Sequence, residues 1–312
     1  MVRKSWLGII PILVLSSFIW TSSSRGAGTK SYQFLKIGTI ARSSGMGGAF
    51  VAVADDEAAL YYNPSGLANS KRSAFIASYV NYVTDIQSGF VGYLRPLKGN
   101  STFGASLTYF SYGDFTQTDI AGNQIGSFGS SDWSFNLSYA KAINPQFSLG
   151  GTGKLIQEKI QDFSGYGLAV DLGGLYTLAD GRTKIGAVLQ DLGTEMDPVG
   201  EEKGGLPTVV KLGLSHILRE SGILVTAEAN LPVDDDIFFN LGGEITQIRP
   251  LLLRAGWSSL GSDLKIGEDS DKWAGFGFGL GLLWQKYKID YSYSAFAALG
   301  NIHRVTLSGS LD

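Results

Sequence analysis

The 312-residue chain carries 25 Lys and Arg against 28 Asp and Glu, a formal net charge of −3, and it has no cysteine. That balance offers no basic stripe for nucleic acid, and the missing thiols exclude disulfides, thiolate metal sites and a lipoprotein anchor. Glycine stands out at 42 residues, roughly twice the usual ~7% share, and Tyr and Phe outnumber Met and Pro, which points to an all-β chain.

The first element is an N-terminal leader. Arg3 and Lys4 precede an almost uncharged apolar run from Ser5 to about Trp20, followed by small polar residues from Thr21 to Gly26. This is the pattern of a signal peptide cleaved after Ser24 or Gly26, since the run is shorter than the ~20 residues a spanning helix needs. Export and an outer-membrane destination in a Gram-negative-type bacterium are the expectation. The expected division is a signal peptide at 1–26, an N-terminal segment at 27–70 and a barrel at 71–312.

Residues 32–70 break any strand period. They carry Gly45-Met46-Gly47-Gly48-Ala49-Phe50, then Asp55-Asp56-Glu57, then Asn63-Pro64-Ser65-Gly66-Leu67. Asp55 or Asp56 can cap a helix of about two turns, and Pro64 forces Asn63 out of helical geometry and ends it near Tyr62. Gly45, Gly47 and Gly48 permit tight turns and close approach to a wall. A dinucleotide reading fails, because Phe50 stands where G-x-G-x-x-G needs its last glycine.

From Ser73 onward the period is two. Asp132-Trp133-Ser134-Phe135-Asn136-Leu137-Ser138-Tyr139 places aromatics and Leu on one face and polar residues on the other. Fourteen strands are predicted, near 73–80, 86–95, 101–110, 132–142, 147–158, 165–177, 183–192, 207–217, 222–231, 237–247, 251–258, 273–285, 288–296 and 302–311. Many are nine residues or longer, the length of a tilted transmembrane strand rather than a soluble one. Connections after even strands are short, and the long ones, Ser111 to Ser131, Leu192 to Leu206 and Ser259 to Lys272, follow odd strands. This is the alternation of periplasmic turns and extracellular loops in an outer-membrane barrel. Lys154, Asp171, Lys184, Lys211, Glu228, Glu244, Arg254 and Asp290 fall on the polar, lumen-facing parity. Gly173, Gly242, Gly256, Gly277, Gly279 and Gly281 share it and would let a packed segment approach closely. Trp133, Trp257, Trp273, Trp284, Tyr109, Tyr139 and Tyr176 lie near strand ends, where a membrane-interface girdle is expected.

The small-Gly-Met-Gly-Gly-Ala run, the Asp55-Asp56 pair and Asn63-Pro64-Ser65-Gly66-Leu67 together resemble the N-terminal hatch of the FadL-type long-chain fatty acid transporters. They are still more similar to the PorV/PorQ-like relatives of that group. The resemblance implies a fourteen-stranded barrel with an N-terminal hatch folded into the lumen, where movement of the hatch frees a hydrophobic substrate. Gly45, Gly47, Gly48, Asp55, Asp56, Asn63, Pro64 and Ser65 are its hatch residues here, with Ser65 where the transporters usually have Ala. No loop matches their substrate-capturing helices.

Function is therefore expected to be passive transport or binding of a hydrophobic or amphipathic small molecule, with a type IX secretion docking barrel as the alternative. Expected partners are outer-membrane lipids, such a small molecule, or secretion-system proteins. No enzyme is expected: His216 and His303 are the two histidines and lie at opposite ends of the strands, so no Ser-His or Asp-His centre can assemble from the pair. No cofactor and no metal site is expected, and the acidic runs at Asp234-Asp235-Asp236 and Asp263 to Asp271 read as solvated loop charge.

Overall fold

The computed structural model describes residues 30–82, 86–199, 204–264, 272–296 and 300–311. The leader, and Glu268, Asp269 and Asp271 of the second acidic run, lie outside these residues.

An N-terminal segment comes first. It holds a 3-10 turn at Gln33–Lys36, α1 at Ala41–Gly45, α2 at Ala59–Tyr62 and a second 3-10 helix at Pro64–Asn69. Fourteen strands follow. The first seven are β1 Ala74–Asn81, β2 Gln87–Leu97, β3 Ser101–Thr118, β4 Gln124–Ala142, β5 Phe147–Ile160, β6 Phe163–Thr177 and β7 Thr183–Asp197. The last seven are β8 Val209–Ile217, β9 Leu224–Pro232, β10 Phe238–Ile245, β11 Leu251–Ser258, β12 Phe276–Trp284, β13 Tyr287–Ala295 and β14 Asn301–Ser310. Each pairs antiparallel with its sequence neighbours, and β14 pairs with β1, so the sheet closes into a barrel with no free edge along its circumference.

Closure pairs every strand with two neighbours around the wall, which is what allows β structure to span lipid. The two parities differ as the sequence requires. Leu107, Phe135, Leu172, Leu212, Phe278 and Leu280 point outward and are exposed, whereas Asp171, Glu228, Glu244, Arg254 and Asp290 point inward and are buried. Trp273, Trp284, Tyr139 and Tyr176 are exposed near strand ends, whereas exposed Tyr109 lies in the middle of β3, because that strand runs on to Thr118.

Three features depart from the sequence reading. The stretch 111–131, expected as the longest loop, is mostly strand: β3 runs on to Thr118 and β4 begins at Gln124, across a bulge between Ser111 and Asp114. Its Gly, Ser, Asp and Asn content reads as loop, yet the alternation needed for a ribbon is present. Second, α2 is a single turn rather than two, although Asn63 is extended (φ −158°) and ends it as Pro64 demands. Third, the long connections expected after odd strands are partly taken up by longer strands, so β3 to β7 rise beyond the eight- and nine-residue strands β8 to β11.

Candidate functional site

The N-terminal segment packs against the inward face of nearly every strand. Its Ala49 to Ala54 and Leu67 are fully buried, and its apolar core joins Phe50, Leu60 and Tyr62 to Ile76, Phe90 and Leu94 of the wall.

What permits such contact is a ring of glycines. A Cβ on Gly256 would lie 2.1 Å from the Met46 carbonyl carbon, and one on Gly242 would lie 2.4 Å from the Met46 oxygen. Corresponding positions are Gly277 against Ser44, Gly186 against Val51, Gly150 against Pro64, and Gly173 against Asn63, all at 2.5 Å or less. A real side chain never sits so close to backbone, or at Gly173 to the Asn63 side-chain oxygen, so at these points the segment reaches the wall only because no Cβ stands there. Gly150 and Gly186 were not among the glycines expected to do this, and Gly281 serves otherwise, leaving room for the Arg254–Asp290 pair. Gly47 has φ +66° and faces the Trp257 backbone, so it is fixed by conformation as well as by space. Gly48, also at positive φ, lies beside the Asn240 side chain.

Polar groups complete the fit. Glu228 of β9 accepts hydrogen bonds from the Phe50 and Val51 N–H groups, both 2.9 Å. Asn63 donates to the Val51 carbonyl (2.8 Å), and its Oδ1 accepts from the Ser65 hydroxyl (2.7 Å) and N–H (3.2 Å), capping the helix that starts at Pro64. Ala41 N–H donates to Thr306, Ser78 to the Thr39 carbonyl, and Arg304 to the Gly38 carbonyl, tying the segment to β14 and β1. Asp234, expected to be solvated, is fully buried and holds Lys36 at 2.9 Å.

At the short-turn end of the barrel six charges close into a ring. Arg42 forks onto Glu244 (2.8 and 2.9 Å) and contacts Asp56 (2.7 Å) and Asp55 (2.6 Å). Asp56 binds Lys288 (2.6 Å), Lys288 lies 3.6 Å from Asp290, and Arg254 bridges Asp290 (2.7 Å) back to Glu244 (2.5 Å). Signs alternate around the ring, and two of its members belong to the N-terminal segment. Burial opposes ionisation of Asp56, but Lys288 and Arg42 overcome this and hold its carboxyl far below the usual range. The same acids push the Arg42 guanidinium above its usual value against the cost of burial. Asp56 also accepts the Ala58 N–H (3.0 Å) in the turn before α2, whose own N-cap is Ala58 with no side-chain cap, so the expected capping of α2 by Asp55 or Asp56 is not made.

Halfway up the wall Lys154 pairs with Asp171 (2.8 Å) and Asp191 (2.6 Å). A cavity of about 20 Å³, room for one water, lies between Leu35, Leu60 and Tyr61 of the segment and Asn136, Lys154 and Gln190 of the wall. Lys211 stands on the same inward parity as Glu228 and Lys154. Both histidines face outward at opposite ends: His216 near Thr183 (2.9 Å) and His303 near the Tyr291 hydroxyl (2.7 Å).

Arg42 and Lys288 were not foreseen. Arg42 is the sole Lys or Arg between Lys36 and Lys71, so the acidic run at 55–57 in a buried segment carried the signal for it.

The family model for the type IX secretion system protein PorV matches residues 21–230, more than half of the chain. Among solved structures, the Pseudomonas putida toluene transporter TodX superposes with TM-score 0.58 at 14% identity, over 85% of this chain and 95% of that one. The CymD monoaromatic hydrocarbon channel gives 0.59 at 11%, over 88% and 98%. A Pseudomonas aeruginosa FadL homologue gives 0.56 at 11%, over 88% and 98%. At these identities the likeness is one of fold. No curated protein sequence matches the chain. The descriptions name a secretion protein, a transporter and a channel, and no enzyme.

Proposed function

The chain belongs to the PorV family of type IX secretion system proteins, and on that premise we propose that it is a hatch-closed outer-membrane barrel serving as a docking barrel for protein secretion. In this reading residues 1–26 are a signal peptide, 27–70 the hatch and 71–312 the barrel. Gly45, Gly47 and Gly48 seat the hatch on the wall, Asp56 ties it to Lys288 of β13 while Asp55 and Asp56 brace its own Arg42, and Asn63, Pro64 and Ser65 fix its last turn. Of the lumen-facing charges, Glu228 and Glu244 hold it directly from the wall side, and Lys154, Asp171, Lys211, Arg254 and Asp290 line the wall around it.

The family match carries the secretion role. Two further observations support it. The N-terminal segment packs against the inward wall, and in the ribbon that continues β3 and β4 the pairing of β3 with β2 stops at Ser111 and that of β4 with β5 starts at Ser130, so among the described residues the ribbon at 113–128 has no strand paired to its outer edges and offers them to a partner's strand. The outer apolar face contacts outer-membrane lipid.

A second reading, hatch-gated passage of a hydrophobic or amphipathic small molecule, is favoured by the likeness in fold to the toluene and monoaromatic hydrocarbon channels. Deleting the gene in its own host separates the two. Docking predicts that exported proteins accumulate in the periplasm while growth on aromatic or fatty acid substrates is unchanged; unchanged secretion with impaired uptake would replace the first reading by the second.

A further inference from the structure

Several charges inside this barrel are matched by opposite ones, buried Arg304 is met instead by the Gly38 carbonyl and the Ser294 hydroxyl, and one acidic group is left without a cation. The ring at the short-turn end alternates in sign, and Lys154 has its two aspartates. At the other end Asp132 of β4, Glu158 of β5 and Glu195 of β7 converge with no ion pair to any of them among the described residues. Asp132 and Glu158 are direct register partners across two strands, an arrangement in which like charges repel. Glu195 reaches the same level two strands on, since Glu158 pairs with Gly165 and Glu195 with Gly167.

Asp132 and Glu195 are 3% and 2% exposed, so both carboxylates are withdrawn from water. Their hydrogen bonds satisfy them only in part. Tyr112 donates to one oxygen of Asp132 (2.6 Å), leaving the other buried and unpartnered, and the Gly205 N–H donates to Glu195 (3.1 Å). Lys30, whose ammonium group lies against Gly205, forms no ion pair with any of the three.

Tyr32 stands in the middle. Its ring lies flat enough on the wall that a Cβ on Gly167 would be 3.1 Å from it, its hydroxyl is buried, and that hydroxyl has no hydrogen-bond partner. Burial, and then the charges of Glu195, Glu158 and Asp132, push the Tyr32 hydroxyl far above its usual pKa. Beneath it lies an apolar cluster of Phe34, Phe110 and Ile156, whose rim residues Ile86 and Tyr112 are only partly buried. Uncompensated carboxylates so placed cost several kcal/mol unless a cation joins them.

No three acidic side chains among the described residues come close enough to share a metal ion. A larger cation that reaches several acceptors by hydrogen bonds while resting on aromatic faces suits the spacing better. We infer that the long-strand mouth of this barrel is a binding site for an organic ammonium or guanidinium group, held by Asp132, Glu158 and Glu195 over the Tyr32 hydroxyl. The group can belong to a small amphipathic compound or to a Lys or Arg side chain of a docked protein, so the site goes beyond either functional reading.

Calorimetric titration of the full-length protein in uncharged detergent at low salt tests it, with phenethylammonium, a lysine-containing extended hexapeptide, benzenesulfonate and calcium chloride as probes. Either ammonium probe is expected to bind at least about tenfold more tightly than benzenesulfonate, with the preference weakening as salt rises. Tighter binding of the peptide assigns the group to a protein partner, and tighter binding of phenethylammonium to a small molecule. Glu195→Gln with Asp132→Asn should abolish the preference, and Glu158→Gln, at the half-exposed position, should reduce it without risk to folding. Equal binding of the sulfonate, equal binding of calcium, or a preference untouched in both variants overturns the inference. None of these titrations depends on secretion or uptake, so a failed deletion phenotype leaves them unaffected.

Discussion

A methyl group at Gly256 would have to occupy space already taken by the Met46 carbonyl carbon, 2.1 Å away. Gly256→Ala is therefore expected to lift the N-terminal segment off β11 while leaving the strands paired. Limited proteolysis in detergent should cut the variant between residues 40 and 60 at least tenfold faster than wild type, a difference of about 1.4 kcal/mol in opening. Gly153→Ala is the matched control, since nothing lies within 4 Å of its added carbon. On the outer face, Phe278→Arg places a charge in lipid and should cost ~2 to 4 kcal/mol of barrel stability, read as impaired heat-modifiable assembly. Its inward neighbour Gly279 was expected from the sequence to let a packed segment approach closely. It is not open space: a Cβ on Gly279 would meet the Gly45 Cα at 3.2 Å, so Gly279→Ser should loosen the segment, though not the barrel.

Among elements, the six-charge ring decides how firmly α1 and the turn before α2 are held to β10, β11 and β13. Removing the Arg42 guanidinium breaks the ring between Glu244 and Asp56, which keep Arg254 and Lys288 respectively, so the loss should fall below the ~3 to 5 kcal/mol of a fully unpaired buried charge. Arg42→Met should release the segment to protease at neutral pH. Acid should act through Asp56. Its pKa is depressed on folding, so its stabilising contribution is complete above the ordinary aspartate value of about 3.9 and is lost as pH falls below it. Protection of the segment is expected to be the same at pH 7 and pH 5 and to fail progressively below about pH 4, as followed by pepsin cleavage. Protection that already fails at pH 5 would mean that Asp56 is not held ionised by its partners.

The strands themselves were legible because a barrel wall separates lipid from a packed polar interior, and that contrast writes a period of two over all fourteen. The ribbon at 112–129 was not, since beyond the rim both of its faces meet water and Gly, Ser and Asn no longer betray a strand. Gly47, Asn63 and Pro64 could be read locally, one as a turn residue and two as a helix stop. Lys288, Asp234 and Glu228 could not, because their partners lie about 180 to 230 residues away in sequence and only barrel closure brings them together.

At the scale of the whole molecule, orientation follows from the even connections being short turns. An epitope at Gly122, in the turn between β3 and β4, should be reached by antibody on intact cells, and one at Asp180, between β6 and β7, should not. Labelling of Asp180 would invert the barrel. A fourteen-strand wall encloses more space than its own side chains fill, and here the N-terminal segment occupies it. The most direct test is single-channel conductance in planar bilayers, comparing the intact protein with a variant in which the leader is joined directly to Ser70, its barrel checked by circular dichroism. The intact protein is expected to conduct poorly and the deletion to open large, noisy channels; a folded deletion variant that conducts no better than the intact chain would contradict closure by the hatch.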